Sequence, residues 1–288
     1  MRILQLSDPH LLADPDGRCQ GRRALPLLRH GLRQALDQLC GAGVAPDLLL
    51  ISGDLCQDES WGGYVRLAEL LEELTEERRR DGPLPVALLA GNHDHPALLR
   101  AALGRRALIA PALLRCGRWR LLLLDSHRTG DVAGELGHTR LAWLERQLEA
   151  LTAEGLAEEG GISLLVAVHH PPVPIGDAGM DAIGLRDGQA LLSLLRPVAA
   201  LRGLIFGHVH QHWQGHLPGR PDVTLLGCPS TLCGFGPVQP CPLGRADDPG
   251  GRWLDLGEDG VLRQRLLRWA PVDGPSLLTC NGSSPSSP

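Results

Sequence analysis

Val86-Ala87-Leu88-Leu89-Ala90-Gly91-Asn92-His93-Asp94 sets an apolar run directly against a cluster of metal- and proton-binding side chains. An apolar run closed by glycine reads as a buried strand, and a strand that stops in Gly-Asn-His-Asp reads as one that ends at a site. The same pattern recurs along the chain. Runs at Ile3 to Leu6, Leu48 to Ser52, Leu164 to Val168 and Leu204 to Phe206 lead into Asp8-Pro9-His10, Gly53-Asp54, His169-His170 and Gly207-His208-Val209-His210. Leu121 to Asp125 and Val223 to Leu226 look like further strands. Between the strands the apolar spacing turns helical, over Leu25 to Cys40, Trp61 to Arg80, Pro96 to Leu103, Thr139 to Leu151 and Gln189 to Leu195. Strands alternating with helices predict an α/β fold.

Downstream, Cys228 to Gly251 is rich in Pro, Gly and Cys, and Trp253 to Leu256 with Val261 to Trp269 predict a hairpin turning at Glu258-Asp259-Gly260. Residues 1–270 read as one domain, with 228–270 as a C-terminal segment that closes over one end of the site. Residues 271–288, ending Asn281-Gly-Ser-Ser-Pro-Ser-Ser-Pro288, have the composition of a disordered tail.

Composition narrows the chemistry. The 288 residues carry a net charge of −5, which supplies no overall field for a polyanion, so nucleic acid is not an expected partner. No apolar run is long enough to span a bilayer, and Met1 to Leu6 reads as a strand rather than a secretory leader, so a cytoplasmic protein is expected. Every basic residue other than histidine is arginine, because the chain has no lysine. That removes Schiff-base catalysis and the lysine-dependent phosphate loop, leaving arginine, histidine, backbone or metal to handle phosphate. Eight cysteines include no C-x-x-C pair, which argues against a zinc knuckle. Cys228, Cys233 and Cys241 lie close in sequence, but reduced, buried thiols are the expected state.

The blocks at the strand ends predict a metal site. In an extended segment residues i and i+2 share a side, so Asp8 with His10, and His208 with His210, each present two ligands in one direction. Glycines before three of the blocks allow unusual dihedrals or close backbone approach. Imidazole, carboxylate and amide donors without thiolate favour Mn, Fe, Zn or Co over Ca or Mg. Asp8, His10, Asp54, Asn92, His169, His208 and His210 are too many for one such ion and suit two, with Asp54 as the bridge. Ions roughly 3.5–4 Å apart clamp a phosphate and generate hydroxide. Whether His169 or His170 is the ligand is left open by spacing.

In this order, D-x-H, G-D, G-N-H-[DE], a histidine after a strand, and G-H-x-H resemble the calcineurin-like metallophosphoesterase superfamily, from Asp8 to His210. The resemblance implies an αββα sandwich of two mixed sheets flanked by helices. It implies a first metal held by Asp8, His10, Asp54 and His210, and a second held by Asp54, Asn92, His169 and His208, so it favours His169. It also implies that His93 sits beside the phosphate and protonates the leaving alkoxide, that Asp94 orients it, and that Asp54, Asn92, His93 and His210 face the substrate.

Arg2-Ile-Leu-Gln-Leu-Ser-Asp-Pro-His-Leu11, Leu123-Leu-Asp-Ser126, Gly134-Glu-Leu136 with Leu141-Ala-Trp-Leu-Glu145, His169-His-Pro-Pro-Val173 and Pro229-Ser-Thr231 are similar to class III cyclic-nucleotide phosphodiesterases. The likeness is greatest to the bacterial 3′,5′-cyclic-AMP enzymes and runs nearly to Trp269. It implies hydrolysis of cyclic AMP to 5′-AMP by a hydroxide bridging two transition ions, divalent or mixed-valence. Other phosphodiesters or monoesters, and an inactive interaction scaffold, are the competing readings. Pro9 departs from the usual small residue and stiffens the first ligand loop. Arg22 and Arg23 read as a solvated helix start, and His127, His138, His212 and His216 as residues around the site or on the surface.

Overall fold

The central strands are buried on both faces, and successive side chains point to opposite faces, so alternate residues join different cores. The computed structural model describes residues 1–41, 43–78, 82–155 and 161–271. The chain opens with β1 (Arg2–Leu6), a small hairpin of β2 (Arg18–Cys19) and β3 (Arg22–Arg23), α1 (Ala24–Cys40), β4 (Leu48–Ile51) and α2 (Trp61–Glu77). It continues through β5 (Val86–Leu88), α3 (Pro96–Leu103), β6 (Leu108–Ile109), β7 (Ala112–Cys116), β8 (Trp119–Leu123), α4 (Gly137–Ala153) and β9 (Ser163–Val168). Then come α5 (Ala178–Ala182), α6 (Gly188–Leu195), β10 (Leu201–Phe206), β11 (Trp213–Leu217), β12 (Arg220–Gly227), β13 (Gly250–Leu256) and β14 (Leu262–Arg268).

Two mixed sheets result, ordered β14-β13-β1-β4-β5-β6 and β11-β12-β10-β9-β8-β7. Leu4, Leu6, Leu49 and Ile51 share one core with Leu27, Leu67 and Leu99 of α1, α2 and α3. Leu164, Val166, Val168 and Phe206 share another with Leu144 of α4 and Leu191 of α6. The alternate residues Ile3, Leu48, Leu50, Leu165, Ala167 and Ile205 form a third core between the sheets. Helix, sheet, sheet and helix therefore stack as an αββα sandwich, as the resemblance implies.

Polar bolts cross the middle layer. Arg252 of β13 is fully buried and donates to Gly227 O (2.9 Å), Trp213 O (2.9 Å) and Gln264 Oε1 (2.8 Å), and lies 2.9 Å from His212 Nδ1. It thus ties the first sheet to the edge of the second. The Trp119 indole of β8 donates to Gly257 O at 2.7 Å in the turn after β13. Helix starts follow from local chemistry: Ser60 Oγ accepts from Gly63 N ahead of α2, and Pro96 occupies the first turn of α3.

The expected C-terminal hairpin forms as β13 and β14. β13 runs antiparallel to β1, with Leu4 opposite Trp253, so the hairpin extends the first sheet. The backbone edge of β1 needed a partner, and pairing satisfies it. Arg22 and Arg23 form β3 just before α1, where Arg23 is the N-cap residue. Of the expected tail 271–288, all but Pro271 lies outside the described residues, as does Cys280.

Candidate metal centre

Five strand ends converge on one rim of the sandwich: β1, β4 and β5 from the first sheet, β9 and β10 from the second. Backbone bonds lace the loops together. Asp8 N donates to Gly53 O (3.0 Å), His10 N to Asp54 O (2.9 Å) and Gly207 N to His169 O (3.1 Å). His208 N donates to both Asp8 carboxylate oxygens at 3.1 Å.

The ligand residues do not sit on extended backbone, which corrects the i and i+2 argument. Asp8, His10, Asp54, His208 and His210 have φ of 51°, 49°, 50°, 67° and 52°. The left-handed region is costly for residues with a Cβ and concentrates at functional sites. Left-handed residues coil each loop inward, so alternate side chains converge on a point. Gly53 also turns there, at φ 106°, whereas Gly91 serves by close approach: a Cβ on it would lie 2.1 Å from Asp54 Oδ1.

Two groups of donor atoms result, each with its atoms within 4.8 Å of one another: Asp8, His10, Asp54 and His210 in one, His169, His170 and His208 in the other. Asp54 Oδ2 lies 3.8 Å from His10 Nε2 and 3.5 Å from His169 Nε2, so one oxygen faces both groups. Asn92 Oδ1 adds an amide donor 3.0 Å from His208 Nδ1 and 3.4 Å from His169 Nε2. His169 Nδ1 lies 2.7 Å from Ser52 O and His210 Nδ1 3.1 Å from Cys233 O. With Nδ1 held by those carbonyls, each Nε2 is the nitrogen that faces inward. His170 has both nitrogens engaged, Nδ1 with Ser126 Oγ at 2.8 Å and Nε2 with Val132 O at 3.3 Å. That geometry favours His169 as the ligand.

The electrostatics fit a pair of cations. Burial alone would raise the Asp8 and Asp54 carboxyls, but the His210 ring beside the first and the His169 ring beside the second hold both below the ordinary carboxylate value. Burial pushes His10 down to about 4 against the pull of Asp54, and His208 down to about 3, so both rings are neutral donors. Burial also works against charge on His169 and His210, yet Asp54 and Asp8 raise them to about 9 and about 10. The carboxylates thus demand positive charge between them. His10 Nε2 and His210 Nε2 approach to 3.0 Å, and His208 Nε2 and His10 Nδ1 are buried without a hydrogen-bond partner. Oxygen and imidazole donors together suit divalent metal ions.

His93 stands at the edge of this cluster, half-buried, with its backbone N donating to Asp54 Oδ1 at 2.9 Å and its ring centroid 5.1 Å from that of His10. The expected Asp94 contact is absent: among the described residues, no hydrogen bond joins Asp94 to the His93 ring. The Asp94 carboxylate instead accepts from Leu55 N (3.1 Å), Cys56 N (3.1 Å), Gly91 N (2.8 Å) and Tyr64 Oη (3.1 Å). Four donors fill its acceptor sites. Burial and the charge of Asp54 push it up to about 7, while the backbone N–H groups oppose. Asp94 therefore staples the Gly91 loop to the Asp54 loop.

The neighbour of the His93 ring is Gln57, with Nε2 3.4 Å from Nδ1, and nothing in the sequence marks that residue. Tyr64, Ser52 and the Cys233 carbonyl were equally invisible, because backbone carbonyls and lone hydroxyls carry no motif. His127 Nδ1 reaches Gly91 O at 2.8 Å. His212 meets Arg252. Cys228, Cys233 and Cys241 are free thiols, and among the described residues they form no disulfide and no metal cluster. Arg22 donates to Leu232 O rather than into the donor cluster.

Residues 1–212 match the family described as Calcineurin-like phosphoesterase. A probable cyclic nucleotide phosphodiesterase of Synechococcus sp. (strain WH7803) is 51% identical over 272 residues, which are 94% of this chain and 98% of that one. A 3′,5′-cyclic adenosine monophosphate phosphodiesterase of Pseudomonas aeruginosa is 36% identical over 269 residues, 92% of this chain and 89% of that one. The crystal structure of a dimetal phosphatase from Danio rerio shares the fold at a TM-score of 0.54 and 16% identity, over 93% of this chain and 99% of that one.

Proposed function

Because this chain belongs to the calcineurin-like phosphoesterase family, we propose that it hydrolyses 3′,5′-cyclic AMP to 5′-AMP at the paired donor clusters. The observation that carries the reading is the single Asp54 oxygen facing both groups of buried donors, in a chain 36% identical to a named cyclic-AMP phosphodiesterase. Asp8, His10, Asp54 and His210 would hold one ion, and Asp54, Asn92, His169 and His208 the other. Two such ions, when bound, polarise a phosphate and supply hydroxide at neutral pH.

The protein's own residues do the rest. The Gln57 amide, donating to His93 Nδ1, keeps the ring proton on Nε2, and Asp54 Oδ1 fixes the His93 backbone. His93 Nε2–H then binds a phosphate oxygen and protonates the departing 3′ oxygen, a role worth about 10²–10⁴-fold in rate. Asp54, Asn92 and His210 face the same space. Both sheets contribute ligands, which supports residues 1–270 acting as one domain. Among the described residues, no helix is long and apolar enough to cross a membrane, and buried free thiols such as Cys56 and Cys228 suit the cytoplasmic setting proposed.

The test is a set of initial rates with Mn-loaded protein on cyclic AMP, cyclic GMP, 2′,3′-cyclic AMP, bis(p-nitrophenyl) phosphate and p-nitrophenyl phosphate, with product separation. Preference for cyclic AMP with 5′-AMP as product is expected. Fast turnover of the synthetic diester without cyclic AMP hydrolysis would keep the metal site and overturn the substrate.

A further inference from the structure

We propose that Phe235 is the platform on which the base of the substrate stacks, so that it makes this site a nucleotide site rather than a general phosphodiester site. The inference rests on the cyclic-nucleotide reading above. The Phe235 ring lies 4.1 Å from the His210 ring with an interplanar angle of 4°, a face-to-face stack. His210 is buried, yet Phe235 is 37% exposed. The face away from His210 is the one the proposed base would cover. The platform is therefore at the mouth of the site, one ring away from a proposed metal ligand.

Phe235 leaves over a third of its surface in water, whereas the chain's other phenylalanine, Phe206, is fully buried. Phe235 is also held in place from both sides. Cys233 O accepts from His210 Nδ1 at 3.1 Å, and Gly236 O accepts from Gln211 Nε2 at 3.3 Å. Gln211 Oε1 in turn accepts from Val238 N at 2.9 Å. The segment carrying Phe235 is thus fastened to the loop carrying His208 and His210. Ring and ligand keep one spacing.

Substrate chemistry matches that rigidity. In a 3′,5′-cyclic nucleotide the phosphate is fused to the ribose, so the base projects from a stiff bicycle at one fixed reach from the phosphorus. A fixed ring beside a fixed phosphate position suits such a substrate better than a flexible diester. Stacking uses the π-face that every base has, so Phe235 selects for a base and does not choose adenine over guanine.

Phe235→Leu keeps an apolar cover over His210 and removes the π-face, whereas Phe235→Trp keeps both. The readout is the ratio of kcat/KM for cyclic AMP to that for the abasic ribose 3′,5′-cyclic phosphate. Paired readouts are the dissociation constants of 5′-AMP and ribose 5-phosphate and the metal content of each variant. Phe235→Leu should retain two ions and lose roughly 5- to 150-fold of the ratio, as expected for one base–aromatic stack. The 5′-AMP affinity relative to ribose 5-phosphate should fall by a similar factor, and Phe235→Trp should restore both. An unchanged ratio in Phe235→Leu, or a parallel loss on both cyclic substrates, would reduce Phe235 to a shield over His210. If the wild-type protein hydrolyses no cyclic AMP, the substrate reading fails, and the 5′-AMP and ribose 5-phosphate pair alone decides whether Phe235 holds a base.

Discussion

Adding one methyl group at Gly91 should dismantle both metal positions. A Cβ there would lie 2.1 Å from Asp54 Oδ1, 2.4 Å from Asp54 N and 2.7 Å from His169 Nε2, where ordinary contact begins at 3.4 Å. Something must retreat by more than an ångström, and Gly91 is boxed in by the Asp94 bond to its own N–H. Because a backbone atom is among the three, the Asp54 loop must shift together with its carboxylate and the His169 ring. Metal sites tolerate ligand displacement of only about 0.2 Å. Gly91 is not among the residues with positive φ, so alanine adds no backbone strain and the effect is steric. Gly91→Ala should lose metal from both positions on dialysis and at least about 10²-fold of kcat/KM, the scale of a 1 Å misplacement. The assay is metal analysis after dialysis, cyclic AMP turnover and a thermal melt on the same preparation. A variant that holds two ions with wild-type affinity and turns over within a few-fold of wild type would refute the packing argument.

Asp54→Ala should lose both ions and activity together, since the carboxylate faces both donor groups; retention of two ions by metal analysis would overturn its bridging role. His93→Ala should keep two ions and lose about 10²–10⁴-fold of kcat, and a loss of metal in step with rate would move His93 from proton donor to scaffold. Arg252→Met should lower stability by roughly 2–5 kcal/mol in urea titration, because Gly227 O and Trp213 O lose a buried donor. No change in the unfolding midpoint would show that methionine packs as well as the guanidinium bonds.

The central strands were legible because each is apolar throughout, being covered on both faces, and each ends in residues with distinctive chemistry. β11 was missed because Trp213-Gln-Gly-His-Leu217 alternates too weakly, and β6 because Leu108–Ile109 is too short to show a period. α3 matched residue for residue, since Pro96 and Gly104 bracket it. At the site, the blocks named the donors, but the backbone that aims them was misread. Extended strands were expected where left-handed residues stand, because αL is a choice that tertiary contacts impose on Asp and His. The partners of Asp94 were hidden for a related reason. The family resemblance implied that the carboxylate serves its histidine neighbour, whereas the turn sends it back to the amides of Leu55 and Cys56.

The position of β1 has a consequence for synthesis. It lies between β4 and β13, so one edge of the strand that leads into Asp8 and His10 is completed by Gly250–Leu256. A nascent chain emerging N-terminus first can pair β1 with β4 early, but its other edge stays bare until the penultimate strand clears the ribosome. For most of translation the protein carries an open, apolar template at its centre, the kind of edge that recruits wrong partners. Premature termination anywhere before β13 would therefore leave an aggregation-prone product and not a smaller enzyme.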